Sequence, residues 1–496
     1  MDHPVVTTSS GRIRGMAGNG IARFLGIPYA ASPLGSRRFQ LPRPPEPWAD
    51  VRDASAPGPT APQLHRPLPG LDLDPLVGRG WRRGDDFLNV NVWTPDVSAR
   101  GLPVMVFIHG GGFVGGSNDA TVNDGSGFAR SGVVCVAINY RLGVEGFLPV
   151  PGAPTNLGLR DQLAALGWVQ ENIAAFGGDP GNVTVFGESA GAMAVASLLS
   201  SPLAKGLFRR AIVQSGHGAM VRPPEVAARL VHRMAKLLRV TPDVEGFRRR
   251  TVEECLAALE KLSRPFSGVD LRDETGLDPA FGLSSFLPVH GDDVLPVPPL
   301  TALAKGAGAE VDLLIGTNAE EMNLYLVLVE ARLRIYGWMA TLALSRRVRG
   351  ARAILEDYGL NQKGRRAGEV LSAAMSDLVF RWPARQFAAA HHGRTHVYEF
   401  GWRSPACGGK LGACHGLELP FVFDTLKCTT GLEGLTGTAP PQALADRIHR
   451  LWVDFSTDGT LPWPEYDAAT RQVCALETGT TFTARDMPAA RYLPRA

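Results

Sequence analysis

Ser189 stands at the centre of Gly187-Glu188-Ser189-Ala190-Gly191. An apolar run, NVTVF (182–186), precedes it and a helical pattern, AGAMAVASLLS (190–200), follows. A serine in a tight turn from strand to helix presents its hydroxyl as a nucleophile, in a strained backbone conformation that small neighbours accommodate. The N-terminus of the following helix favours negative charge developing on the serine oxygen. In a chain with 57 glycines the bare pattern arises by chance about 0.3 times. Its setting and its single occurrence therefore carry the assignment.

A second signal is His109-Gly110-Gly111-Gly112-Phe113, directly after the apolar run PVMVFI (103–108). Glycines past a buried strand expose backbone N–H groups. Two of these, with the N–H that follows the nucleophile, can bind the oxyanion of a tetrahedral intermediate. Gly111, Gly112 and Ala190 are the predicted donors. The HGGG run is expected by chance only about 0.02 times. His109 precedes the serine, against the order nucleophile, acid, histidine, and reads as an anchor of the loop.

Such a serine needs a base to take its proton and return it to the leaving group. Of the eleven histidines, His391 and His392 end a helical stretch, His396 starts a strand, and His449 lies in a helical pattern. His415 lies in a glycine-flanked loop, GACHGLELPFVF (412–423), and is the predicted base. The acid that orients it should follow another strand tip. VDLLIGTN (311–318) is followed by Ala319, Glu320 and Glu321, and spacing alone leaves both carboxylates open.

These residues require a scaffold of buried strands. PVMVFI and VVCVAINY (133–140) are continuous apolar runs, as strands buried on both faces are. FLNVNVW (87–93) alternates like a strand. LRDQLAALGWVQENIAAF (159–176) has helical period and GGDP (177–180) stops it. RRAIVQSG (209–216), VDLLIGTN and THVYEF (395–400) continue the strand-then-loop pattern. Strands alternating with helices predict an α/β fold with a mostly parallel sheet. Residues 222–264 and 321–390 read as mainly helical insertions, lids or walls, within a single catalytic domain spanning 1–496. The catalytic segments at 109–112, 189, 321 and 415 must converge, so no cut between them leaves a working site.

Composition excludes several classes. The 496 residues carry a net charge of +3, 45% hydrophobic and 20% charged. Charge is spread out, with no footprint for nucleic acid. No apolar run approaches the roughly 18 residues of a membrane span. The N-terminal MDHPVVTTSSGRIRGM lacks the basic and apolar regions of a signal peptide. Six cysteines without CxxC spacing suggest neither a disulfide framework nor a zinc site. Together these predict a cytoplasmic protein, and the abundance of Arg, Ala and Gly suggests a bacterial one.

The chain resembles the type-B carboxylesterase family, which includes bacterial p-nitrobenzyl esterases and the cholinesterases. The resemblance runs through GIPYAASPLGSRRF (26–39), DDFLNVNVWTP (85–95), FIHGGGFVGG (107–116) and NYRLGVEGFL (139–148). It continues through residues 156–191, its most specific stretch, then SPLAKGLFRRAIVQSG (201–216), GTNAEE (316–321) and ACHGLELPFVF (413–423). It implies an α/β-hydrolase fold with Glu321, rather than Glu320, as the acid. It implies that Ser215 supports the acid–histidine pair and that Glu188 is a hydrogen-bonded neighbour of the nucleophile. The family's second signature usually reads E-D-C-L; here it is Asp85-Asp86-Phe87-Leu88, so Phe87 replaces the cysteine that closes a disulfide in secreted members. The aromatic residue that binds quaternary ammonium in cholinesterases has no match, Trp81 being out of register, so a choline ester is not indicated.

The expected function is hydrolysis of neutral, fairly apolar carboxylic esters through an acyl-enzyme, with no metal or organic cofactor. Activity should rise with pH through a value near neutrality, as the base loses its proton. Candidate pocket residues are Phe113, the 64–84 segment, Phe281, Phe286, Leu324, Leu328 and the surroundings of Trp338. Two alternatives remain. A transacylase, amidase or lactonase would use the same triad and differ in its acyl acceptor. A non-catalytic binding member of the fold would lack a triad residue, whereas all three positions are filled here.

Overall fold

The computed structural model describes residues 3–262, 269–327 and 334–494. Its centre is an eleven-stranded sheet. In chain order the strands are β1 (Met16–Gly18), β2 (Ile21–Pro28), β3 (Asn89–Thr94), β4 (Leu102–Ile108), β5 (Val134–Ile138) and β6 (Gly178–Glu188). They continue as β7 (Arg210–Gln214), β8 (Asp312–Asn318), β9 (Thr395–Phe400), β10 (Gln472–Ala475) and β11 (Thr480–Thr483). In space they lie as β1-β2-β3-β5-β4-β6-β7-β8-β9-β10-β11. From β5 to β10 neighbours are parallel; the pairs at the two ends are antiparallel.

The continuous apolar runs are buried on both faces because each strand feeds two cores. Val104, Val106 and Ile108 point into one, while Met105 and Phe107 point into the other. Helices α1 (Leu157–Asn172) and α2 (Ala190–Leu199) cover the first core. Helix α3 (Gln442–Asp458) covers the second with Ile448, Trp452 and Phe455.

Two elements differ from their sequence pattern. The alternation of 87–93 suggests one solvated face, yet every residue of β3 is buried. Its polar positions hold their surroundings: Asn91 Oδ1 accepts the N–H of Gly26 at the register shift of β2 at 2.8 Å, and Asn89 Nδ2 donates to the Pro59 and Asp86 carbonyls at 2.9 and 2.8 Å. Buried amides with partners cost little. Strand β6 begins at Gly178, four residues before its apolar run, pairing Leu102 with Gly178 ahead of a register shift.

The segments after β7 and β8 carry the helices expected there: Pro224–Leu238, Val244–Arg248 and Val252–Leu262, then Asn323–Val327, Gly337–Ser345, Ala351–Asp357, Ala367–Ser376 and Trp382–Ala390. Their apolar faces, including Leu230, Met234, Leu259, Leu371 and Phe387, join the first core.

Candidate active site

Strand β6 turns into α2 through Ser189, whose φ of 55° and ψ of −123° lie in a region that residues other than glycine rarely adopt. The turn is pinned by the Ser189 N–H to the Gln214 carbonyl at 2.9 Å. A Cβ at Gly191 would sit 1.9 Å from the Ile108 carbonyl oxygen, so only glycine allows α2 this close to β4.

Beyond β4 the glycine loop passes over the serine: a Cβ at Gly110 would lie 3.1 Å from that of Ser189. Gly111 and Gly112 have φ of 106° and 63°, which opens their N–H groups without side-chain cover. Three contacts hold the loop. Gln63 pairs reciprocally with Gly116, its amide donating to the carbonyl and accepting the N–H, both at 2.8 Å. Ser284 Oγ donates to the Gly112 carbonyl at 2.6 Å, and the Gly143 N–H to the Phe113 carbonyl at 2.7 Å. None of these bonds uses the N–H of Gly111, Gly112 or Ala190. His109 is buried, with its ring stacked on Tyr140 at 4.5 Å. Burial pulls its pKa down to about 4, so it stays neutral beneath the loop.

His415 Nδ1 lies 2.7 Å from Glu321 Oε2. The other Glu321 oxygen accepts the Ser215 hydroxyl and the Asn318 N–H, each at 2.7 Å. Glu320 turns away, pairing with Arg403 and accepting the Ala413 N–H at 3.0 Å. Glu188 Oε1 is 3.2 Å from His415 Nε2, and no hydrogen bond engages that nitrogen. Burial alone would lower the His415 pKa, but Glu188, Glu321 and Glu418 together outweigh it and raise it. Burial raises the pKa of Glu188 as well, against the nearby imidazole.

Sequence reasoning missed several neighbours. Glu418 is fully buried, accepting from Asn318 Nδ2 at 2.6 Å and Gln214 Nε2 at 3.2 Å. Phe380 packs on the His415 ring at 4.6 Å, Tyr325 at 5.6 Å. The downstream GLEL motif holds Glu418; nothing local marks Gln63, Ser284, Tyr325 or Phe380, which arrive from distant segments.

Ser189, His415 and the glycine loop open on a cavity of about 500 Å³ with an apolar wall that includes Leu68, Leu76, Met220 and Leu283. Phe113 and Leu324 border it, Phe113 fully buried against Phe147. Much of the 64–84 segment also borders it. Phe286 does not: it is buried and faces a neighbouring polar cavity with Arg347 and Asp278. In this segment it is Ser284, two residues earlier, that turns onto the glycine loop, while Phe286 packs into the first core. Phe281 is absent from the wall, and Trp338 lies exposed on a separate surface groove. Leu328 lies outside the described residues. Trp81 carries the Arg83 guanidinium over its ring at 4.2 Å and is no part of the wall.

A serine elbow at the carboxyl ends of parallel strands, beneath a glycine loop on a twisted mixed sheet, defines the α/β-hydrolase class. Residues 2–492 match the profile of the carboxylesterase family. The chain is 36% identical to a para-nitrobenzyl esterase of Bacillus subtilis, over 97% of this chain and 96% of that protein. It is 31% identical to a cholinesterase of Mus musculus, over 96% and 83%. Among solved structures, a PNB esterase superposes with a TM-score of 0.82 at 34% identity, covering 99% of this chain and all of that one. A Geobacillus stearothermophilus carboxylesterase gives 0.80 at 34%, covering 95% and 96%. The chain belongs to the carboxylesterase family and is a serine-type carboxylic ester hydrolase.

Proposed function

We propose that Ser189, His415 and Glu321 form the catalytic triad and that the N–H groups of Gly111, Gly112 and Ala190 form the oxyanion hole. The observation that carries the reading is the 2.7 Å bond from His415 to a buried Glu321 that Ser215 and Asn318 already hold. Such a carboxylate fixes the imidazole's tautomer and stabilises its cation. Ser189 Oγ attacks the ester carbonyl carbon and its proton passes to His415 Nε2. The oxyanion settles on the backbone donors; collapse breaks the bond to the alkoxide, which leaves as the alcohol with that proton. Water, deprotonated by His415, then attacks the acyl-enzyme; collapse breaks the bond to Ser189 Oγ, which takes that proton back as the acid is released.

The apolar wall favours neutral, fairly apolar esters, and the naming of one relative as a para-nitrobenzyl esterase points the same way. We treat residues 1–496 as one catalytic domain. Six free thiols support a reducing compartment, the bacterial cytoplasm. The test is turnover of a short p-nitrophenyl ester by Ser189→Ala and His415→Ala. Each should lower kcat by roughly 10⁴ to 10⁶, and the double variant little further. Substantial activity in Ser189→Ala would sink the reading.

A further inference from the structure

A second cavity, of about 680 Å³, adjoins the one that Ser189 opens on, and Val114, Leu283 and Ser284 border both. This partition is tied to the glycine loop, because Ser284 Oγ donates to the Gly112 carbonyl at 2.6 Å and Val114 lies two residues after Gly112. Neither His415 nor its ring neighbours Tyr325 and Phe380 border the second cavity. The leaving alcohol must take its proton from His415, so the alkoxy side of an ester lies at the base. Its acyl side then faces the partition.

The second cavity differs from the first in charge. Its described wall carries Arg66, Arg272, Arg346 and Arg347 against Asp270 and Asp278. Asp270 is matched by Arg272 at 2.7 Å. Asp278 serves two guanidiniums, Arg222 Nη2 at 2.8 Å and Arg347 Nη1 at 3.3 Å, and also accepts the Ala280 and Gly282 N–H groups at 3.3 and 3.1 Å. Arg222 and Asp278 are buried, while Arg347 is half-buried on the cavity wall. Burial lowers the Arg222 pKa against the pull of Asp278, and Arg347 adds to the fall. One carboxylate for two guanidiniums leaves a net positive charge at the wall, which favours an anion there. A Cβ at Gly282 would sit 2.5 Å from Arg347 Cζ, so glycine at this position makes room for the guanidinium.

We propose that the second cavity is an acyl subsite for a carboxylate, so that the enzyme hydrolyses half-esters of dicarboxylic acids. The ester carbonyl sits at Ser189, the methylene chain crosses Val114 and Leu283, and the far carboxylate meets Arg347. The inference rests on Ser189 and the glycine loop forming the reacting site, and it extends the substrates beyond neutral esters.

The test follows hydrolysis by the purified full chain in a pH-stat. Monomethyl succinate, adipate, suberate and sebacate are each compared with the methyl ester of the monocarboxylic acid of equal length. At one length or more the half-ester should exceed its neutral partner in kcat/KM by about tenfold or more, as one charge-assisted contact allows. Arg347→Gln should cut that ratio by about tenfold or more, and Arg347→Lys, which keeps the charge, should retain a higher ratio than Arg347→Gln. Ratios at or below one at every length overturn the proposal. An Arg347→Gln loss equal for both esters also overturns it, because it marks a structural role. Acetoxyhexanoate, with its carboxylate on the alcohol side, checks the direction: a preference over hexyl acetate as large as that for the half-esters would overturn the acyl assignment. Neutral esters turned over without any preference for half-esters would leave the triad reading standing and remove this one, whereas turnover by Ser189→Ala would sink the triad reading itself.

Discussion

Adjacent carboxylates at the strand tip have different fates, because Glu321 is enclosed by donors and Glu320 is spent on Arg403. Glu321→Gln should lower kcat/KM by about 10³- to 10⁴-fold, by analogy with the loss of a triad acid elsewhere. Glu320→Gln should change it by less than about tenfold. A larger loss in Glu320→Gln would move the acid by one residue. The proposed base, His415, also has a distinctive titration. His415 must be neutral to accept a proton, and its surrounding carboxylates raise its pKa above the ordinary 6.5. The acid limb of kcat/KM should thus rise with pH through a value above 6.5, higher than the near-neutral value expected from the sequence. Glu188→Gln removes one carboxylate and should shift the limb to lower pH; an unmoved limb would contradict this electrostatic account. At this scale the sequence is most legible where chemistry dictates a local pattern. Ser189 and the glycine run announce themselves, since a sharp elbow and a bare N–H loop admit few residues. Glu188 and Tyr325 beside His415 do not, because only folding brings them together.

The glycine loop illustrates the same limit among elements. Its strand and its glycines are visible in the sequence, but its rigidity comes from Gln63 and Ser284, residues 53 and 172 positions from their partners. The paired bonds of Gln63 mimic a strand neighbour for Gly116, so losing them frees the peptides that follow the proposed oxyanion donors. Removing one oxyanion donor outright costs about 10²- to 10³-fold in kcat in a known case. Gln63→Ala, which misplaces donors without deleting them, should lower kcat by about tenfold with KM changed less than about threefold. Parallel kcat and KM losses in steady-state assays would instead indicate a collapsed cavity. Strands were readable for a related reason. Runs such as 103–108 must be apolar at every position to fill two cores. The alternation of β3 does not mark a solvated face, because its buried asparagines are satisfied by the kink of β2 and a distant loop, neither of which the local sequence displays.

For the whole molecule, the alternation of strand and helix indicates the class of fold, but the order β3-β5-β4-β6 and the antiparallel pairing of β3 with β2 and β5 depend on long-range packing. That packing buries histidines, and their titration sets an acid limit on stability. Burial depresses both His109 and His217 from 6.5 to about 4. His217 is locked as a neutral tautomer, with Nδ1 accepting the Ala219 N–H at 3.1 Å and Nε2 donating to the Val379 carbonyl at 2.6 Å. Burial lowers His290, His391, His396 and His449 in the same direction. In the unfolded chain these imidazoles bind protons once the pH drops below about 6.5, while the folded chain resists. The stability they confer is complete above 6.5 and is lost as pH falls towards 4, by about 3 kcal/mol for each of His109 and His217. His415 is shifted the other way, so its contribution is complete below 6.5 and constant through this window, while buried Glu188 and Glu418, whose pKa values burial raises, take up protons on folding and offset part of the loss. Urea unfolding at a series of pH values should therefore show stability falling steeply between 6.5 and 4, before most carboxylates titrate. His217→Asn, compared with wild type across the same series, should flatten the slope by its own share. A slope that His217→Asn leaves unchanged would show that this histidine is protonated in the fold.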